Sequence, residues 1–190
     1  MLALLRPALT LLIALSLITG LAYPLLTTGI ARLVFPYQAA GSLVERDGKA
    51  VGSLLIGQGF SDPRYFWSRP SATSPMAYNP LASGGSNLGP LNPALGDAIK
   101  GRIDALHAAD PGNTATIPAD LVYSSASGLD PHISIAAALY QAARVSRMRN
   151  LPVERVRELI AEHSENMLFG FLGEPRVNVL ALNLALDAAH

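Results

Sequence analysis

Residues 7–30 read PALTLLIALSLITGLAYPLLTTGI, a run without a charged side chain, with Arg6 before it and Arg32 after it. About 20 apolar residues at 1.5 Å each span a bilayer core of roughly 30 Å, so this run crosses with residues to spare and can tilt. Pro24 lies inside it and predicts a kink or an end to the regular helix near Tyr23. Ser16, Thr19, Gly20, Thr27 and Thr28 suit close packing against other spans, and a lone anchor tolerates them equally. A cleaved signal peptide is the competing reading, with Gly20-Leu21-Ala22 as the cleavage site. Pro24 follows almost at once and the apolar run continues past it, so an uncleaved anchor is expected. The chain then divides into a short tail over 1–7, a transmembrane helix over 8–30 and a domain over 31–190. Charge leaves the orientation open. Arg32, Arg46 and Lys49 outnumber Arg6, but long domains are translocated largely regardless of charge.

The composition of the whole chain excludes several classes of function. Of 190 residues 50% are hydrophobic and 15% charged, against roughly 25% charged in ordinary soluble proteins. The 14 basic and 14 acidic residues cancel, so few phosphates can be neutralised and nucleic acid is not an expected partner. Cysteine is absent, which removes disulfides, thiolate zinc sites and cysteine nucleophiles.

The apolar run 51–58 between glycines reads as a buried strand, paired with 43–46 through the Asp47-Gly48 turn. Residues 57–93 hold six prolines, five glycines and six serines, interrupted by Phe60, Tyr65, Phe66, Trp67 and Tyr78. So many aromatic side chains argue against disorder and for an ordered, turn-rich loop wrapped on the domain. Helices are expected over 93–108 with Pro93 in the first turn, 134–149 capped by Ser134, 152–164 and 176–188. In the second of these, Arg144 and Arg147 fall opposite the apolar face, and Gln141 falls on its border. Ile117–Val122 reads as a second strand. The fold class is α+β, a single N-terminal transmembrane helix followed by one small soluble domain.

No self-sufficient active site emerges. His107, His132, His163 and His190 lack metal-ligand spacing. The run Gly84-Gly85-Ser86-Asn87-Leu88-Gly89 misses the nucleophile-elbow spacing by one residue. Gly57-Gln58-Gly59 opens like a dinucleotide fingerprint, but Asp62 and Pro63 end the likeness. An accessory role fits these absences.

Four segments together carry a family resemblance. They are Gly52–Gln58 with Tyr65–Ala72; Ser83–Pro90 with Asn92 and Pro93; Ser127–Ser134 with Gln141, Arg144 and Val145; and Gly173–Leu180 with Asn183. In order behind an apolar N-terminus, they resemble the C subunit of Kdp, the bacterial potassium-transporting P-type ATPase. The resemblance implies a bacterial cell-membrane complex with three partners: a channel-like A subunit, an ATP-hydrolysing B subunit and a small membrane-embedded F subunit. It implies no catalytic residue, metal or cofactor in this chain, with ATP and potassium handled by the complex.

The family carries two ideas of how this member acts. As a catalytic chaperone it would raise ATP affinity by sharing the nucleotide; Ser125, Ser127, Gly128 and Gln141 are the matching residues. Alternatively the domain lies outside the cell over the ion entrance, where cytoplasmic ATP cannot reach. The external domain, with a cytoplasmic N-terminus, is the expectation. Ser127–Pro131 is also rich in turn formers leading into a helix, which is a structural role in itself. Trp67, Arg69, Asn87 and Asn92 in the long loop are the candidates for subunit contact. Two other classes stay open: an anchored extracytoplasmic hydrolase with Ser86 or Ser127 as nucleophile and His132 as base, and an anchored ligand-binding protein.

Overall fold

A computed structural model describes residues 2–189 of the chain, in two units, Met1–Leu43 and Val44–His190. In the first, helix α1 (Leu2–Leu17) begins within the segment read above as a tail. It continues through a wider π-helical turn (Ile18–Ala22) into α2 (Tyr23–Val34). The stretch Leu4–Val34, 31 residues, is long and apolar enough to cross a membrane. It does not end at Pro24. The proline has no N–H to donate, and the preceding turn widens so that the Tyr23 N–H reaches the Ile18 carbonyl five residues back. The hydroxyls of Thr10, Thr19 and Thr27 donate to carbonyls four residues back, so none needs a partner from lipid. A short helix, α3 (Pro36–Ala39), follows.

The expected hairpin, β1 (Leu43–Arg46) and β2 (Lys49–Ser53), starts at the last residue of the first unit. Asp47 and Gly48 turn it with φ of 52° and 72°, the conformation that matches strand twist. The second strand is shorter than 51–58 and half-buried instead of buried. After Ser53 the chain peels away: the Gly57 N–H turns to the Leu129 carbonyl, and the Gln58 amide folds back onto the Val51 carbonyl.

Residues 54–92 contain no helix or strand, yet the segment is ordered around a buried centre, as expected from its aromatics. Helix α4 (Pro93–Ala109) follows, capped by the Asn92 side chain on the Ala94 N–H at 3.0 Å. The strand expected over 117–122 is instead a single 3₁₀ turn, Ala119–Leu121. That turn aims Asp120 at Ser134, accepting from its N–H at 2.7 Å and from its hydroxyl at 3.1 Å. β3 (His132–Ser134) leads into α5 (Ile135–Arg149), whose Ser134 cap accepts from the Ala137 N–H as expected. Then come α6 (Val153–Glu162), β4 (Ser164–Glu165), β5 (Arg176–Asn178) and α7 (Val179–Ala188). β5 takes the first three residues of the expected last helix, and Asn178 caps what remains. It is the centre of an antiparallel sheet in the order β3-β5-β4, with Ile133 opposite Val177.

The core joins Ala137, Ala138, Ala142 and Val145 of α5, Val156 and Ile160 of α6, Leu182 and Leu186 of α7, and Phe66 of the loop. Phe66 and Trp67 form a short extended pair threaded between two helices. Successive residues of extended backbone turn their polar groups to opposite sides. On one side the Asn183 amide of α7 accepts the Phe66 N–H at 2.9 Å and donates to the Phe66 carbonyl at 3.0 Å. On the other, the Gln141 amide of α5 does the same for Trp67, at 2.8 and 3.2 Å. Two side chains thus supply what neighbouring strands would supply in a sheet.

Arg144 does not lie on the outer face of α5 as its spacing suggested; it is buried. Its guanidinium donates to the carbonyls of Pro63 and Tyr65 and to the Gln141 side-chain oxygen, and lies 4.7 Å over the Trp67 ring. Burial pulls its pKa down to about 10, and it stays protonated at neutral pH. Arg149 repeats the device with Tyr65 beneath it at 4.5 Å and Asp187 at 2.7 Å. Loop carbonyls that have no strand partner receive arginine donors instead. Arg147 does point outward, toward Asp110.

Asn183→Ala leaves the N–H and carbonyl of Phe66 unpaired in a buried site, at about 1–3 kcal/mol for each group. Thermal unfolding of the full chain in detergent is expected to fall by roughly 5–15 °C, taking about 2–4 °C per kcal/mol at this size. A fall below about 2 °C would contradict this role for Asn183.

Candidate functional site

The turn from Ser125 to Pro131 carries the serine–glycine stretch, and the long loop is stapled to it. The Ser125 N–H donates to the Pro70 carbonyl at 3.1 Å, and the Gly84 N–H donates to the Ser127 carbonyl at 2.8 Å. The hydroxyls of Ser83 and Ser71 donate to the carbonyls of Ser127 and Gly128 at 3.0 and 2.7 Å. Gly128 has φ +68°, and a Cβ there would stand 2.4 Å from the Thr73 methyl and 2.7 Å from the Gly84 carbonyl oxygen. Only glycine fits both the dihedral and the space. Ser125 is buried, while Ser127 is exposed with its hydroxyl oxygen accepting the Leu129 N–H at 3.1 Å.

A groove of about 520 Å³ runs beside this turn, lined by Leu55, Arg69, Ser125, Ser127 and Asp130 among others. Gln141 does not reach it. The structure places Gln141 1% exposed, inside the packing and not on the border of the apolar face. Its amide nitrogen donates to the carbonyls of Trp67 and Ala137, both at 3.2 Å. Its oxygen accepts from the Trp67 N–H at 2.8 Å and from Arg144 at 2.6 Å. A primary amide has two donors and two acceptor sites, and here all four are engaged.

Beyond the groove lies a cleft of about 420 Å³ whose walls include Arg69, Asp120, Asp130, His132, Glu174 and Arg176. Arg69 pairs with Asp130 at 2.9 Å, and Asp130 accepts the His132 N–H at 3.0 Å. Burial pushes the Asp130 carboxyl up, but His132 and Arg69 more than offset it and hold its pKa at about 2. The two ring nitrogens of His132 stand 3.5 Å from Asp130 and 3.9 Å from Glu165. No hydrogen bond among the described residues joins His132 to Ser86 or Ser127, and the Ser127 hydroxyl is instead engaged with the Leu129 N–H. Among the described residues no group of three or more His, Asp or Glu is placed to hold a metal ion.

The contact candidates separate into two kinds. Trp67 is turned inward: its backbone meets Gln141, its indole N–H donates to the Asp62 carbonyl at 3.1 Å, and Arg144 covers its ring. Arg69 is half-buried in its pair with Asp130. Asn87 and Asn92 are exposed, the first at a φ of 50° and the second as the cap of α4. Leu81 and Leu91 in the same loop are 95% and 96% exposed. Sequence reasoning missed both, since an isolated leucine near a proline carries no periodic signal.

These features define a class: a membrane-anchored α+β protein whose polar motifs are largely engaged in holding its own loop. The family model for KdpC, the K+-transporting ATPase c chain, matches residues 5–188. The chain belongs to that family and is a subunit of a potassium-transporting P-type ATPase complex. It is 70% identical over 184 residues to the potassium-transporting ATPase KdpC subunit of Polaromonas naphthalenivorans, covering 97% of this chain and 94% of that one. The KdpC subunit of Variovorax paradoxus is 68% identical over 184 residues, covering 97% and 95%. That of Sorangium cellulosum is 62% identical over 190 residues, covering 100% of both chains.

Two outcomes follow from this geometry. Gly128→Ala adds a strained positive φ and a clash with a backbone oxygen, together about 2–4 kcal/mol, so thermal unfolding drops by several degrees. Ser127→Ala, which removes one exposed acceptor, lowers stability by under about 1 kcal/mol. Equal effects of the two substitutions would contradict the packing role of Gly128. In acid, Asp130 is the group to follow. Its folded pKa lies below the unfolded value of about 3.9, so the stabilisation it gives is complete above pH about 4 and is lost as pH falls toward 2. The Asp187 carboxyl is shifted in the same direction: burial pushes its pKa up, and Arg149, Tyr65 and Arg46 more than offset that. The stability difference between the native chain and Asp130→Asn is expected to shrink from pH 6 to pH 2.5, measured by denaturant unfolding. A difference that grows on acidification would reverse the sign.

Proposed function

We propose that this chain serves the pump as a non-catalytic assembly and stability element that covers the ion entrance. Its helix crosses the bacterial cell membrane with the N-terminus in the cytoplasm, and its domain lies outside the cell over the channel-like A subunit. The P-type B subunit carries ATP hydrolysis, and the small F subunit completes the complex. The chain needs no cofactor of its own. The observation that carries this reading is the saturated, buried amide of Gln141. The side chain on which nucleotide sharing depends has no free donor or acceptor, and it lies away from the groove lined by Ser125 and Ser127. The exposed Asn87 and Asn92, with Leu81 and Leu91, supply a surface for subunit contact on the long loop. Any influence on ATP affinity is then indirect, through the integrity of the complex.

Gln141→Ala separates the two modes of action. As a structural strut it lowers thermal stability by several degrees, because the Trp67 N–H and carbonyl lose their partners. In purified complex with full subunit recovery, the apparent ATP affinity is expected to stay within about threefold, under roughly 0.7 kcal/mol. A tenfold weaker ATP dependence with unchanged melting would restore nucleotide contact.

A further inference from the structure

Between β4 and β5 the chain makes a projecting arm. Leu168 and Leu172 face each other as an antiparallel bridge, exchanging N–H to carbonyl bonds at 2.9 and 3.0 Å. Phe169, Gly170 and Phe171 close the arm. Its side chains are apolar and turned to solvent: Phe169 is 80% exposed, Phe171 72% and Leu168 63%, with Met167 and Leu172 beside them. The two phenyl rings stack on each other at 6.5 Å and on no other ring among the described residues. Phe169 also has φ +56°, a conformation that asparagine or glycine adopts with far less strain. The fold therefore accepts a local cost for a ring that it does not bury.

Residues 158–175 contain no lysine or arginine, and Glu165 and Glu174 flank the arm. Glu165 is bonded to Arg176, while Glu174 makes no ion pair among the described residues. Segments that insert into anionic lipid carry basic flanks, whereas here the flanking Arg176 is paired with Glu165 and Glu174 leaves the arm net negative. Two rings offer about 150–250 Å² each, less than the roughly 800 Å² per partner that a free-standing complex requires. The arm suits an anchor within a larger contact, between chains already held together in one membrane.

We propose that the Met167–Leu172 arm seats Phe169 and Phe171 in an apolar groove, rimmed by basic side chains, on another polypeptide of the pump complex. The inference rests on the reading that this chain works within an assembly, and extends it to a surface outside the long loop. The test uses the full chain, tagged and co-expressed with its complex. In the double variant Phe169→Asn with Phe171→Thr, the turn residue suits its φ, so melting is expected to be unchanged or raised. Recovery of partner polypeptides after detergent extraction is expected to fall at least threefold. Native recovery with native melting would overturn the proposal, and so would a loss of partners matched by a lower melting temperature. As a second measurement, benzoyl-phenylalanine in place of Phe169 is photo-activated in the intact complex. The expected adduct joins this chain to a polypeptide that co-purifies with it in fixed ratio, at an apolar stretch flanked by Lys or Arg. An adduct to lipid, an adduct to a second copy of this chain, or no adduct would overturn the proposal. A native chain that recovers no partner at all would instead refute the assembly reading itself.

Discussion

The Phe66–Trp67 pair, held between the amides of Asn183 and Gln141, is the contact on which the ordering of the domain depends. A segment of 39 residues, 54–92, without helix or strand must still satisfy its buried backbone groups. At its buried centre no strand is within reach, and the side chains of α5 and α7 take that place. The two amides grip opposite edges of the same extended pair, so the segment cannot slide or twist without releasing both. Arg144 and Arg149 extend the grip along α5, each donating to loop carbonyls while covering an aromatic ring.

Much of the chemistry that looks functional in the sequence follows from that constraint. The serine–glycine turn at 125–128 is bonded to Pro70, Ser71, Ser83 and Gly84, and its glycine is required by φ and by close approach of backbone. Gln141 is a strut, with no hydrogen-bonding position to spare. Polar groups that do face outward include those of the charged cleft around Asp130 and His132 and of the loop tips at Asn87 and Asn92. A protein whose motifs hold its own fold and whose tips stay bare is suited to meet other chains.

The sequence and the fold agree where the signal is local. The apolar N-terminal run, the Asp47-Gly48 hairpin and the Ser134 cap each rest on a few adjacent residues, and the aromatic content of the loop foretold its order. The three strands of the small sheet were not legible, because two or three residues cannot show alternation. Arg144 was misplaced by helical periodicity, which knows only that a charge prefers water. The partners that make its burial tolerable, the carbonyls of Pro63 and Tyr65, lie about eighty residues away. Gln141 was misplaced for the same reason. Pro24 predicted a kink or an end to the regular helix near Tyr23, and there the regular α-helix gives way to one widened turn, within a continuous apolar span.

Hydrogen–deuterium exchange of the Phe66 and Trp67 amides, in the intact complex with and without ATP, tests the central claim most directly. Both amides are expected to be protected as strongly as the core of α5 around Ala142 and Val145, and ATP is expected to leave them unchanged. Exchange as fast as that of the exposed stretch 81–91, or protection of Trp67 that changes when ATP binds, would contradict the claim that Gln141 and Asn183 are committed to holding this segment.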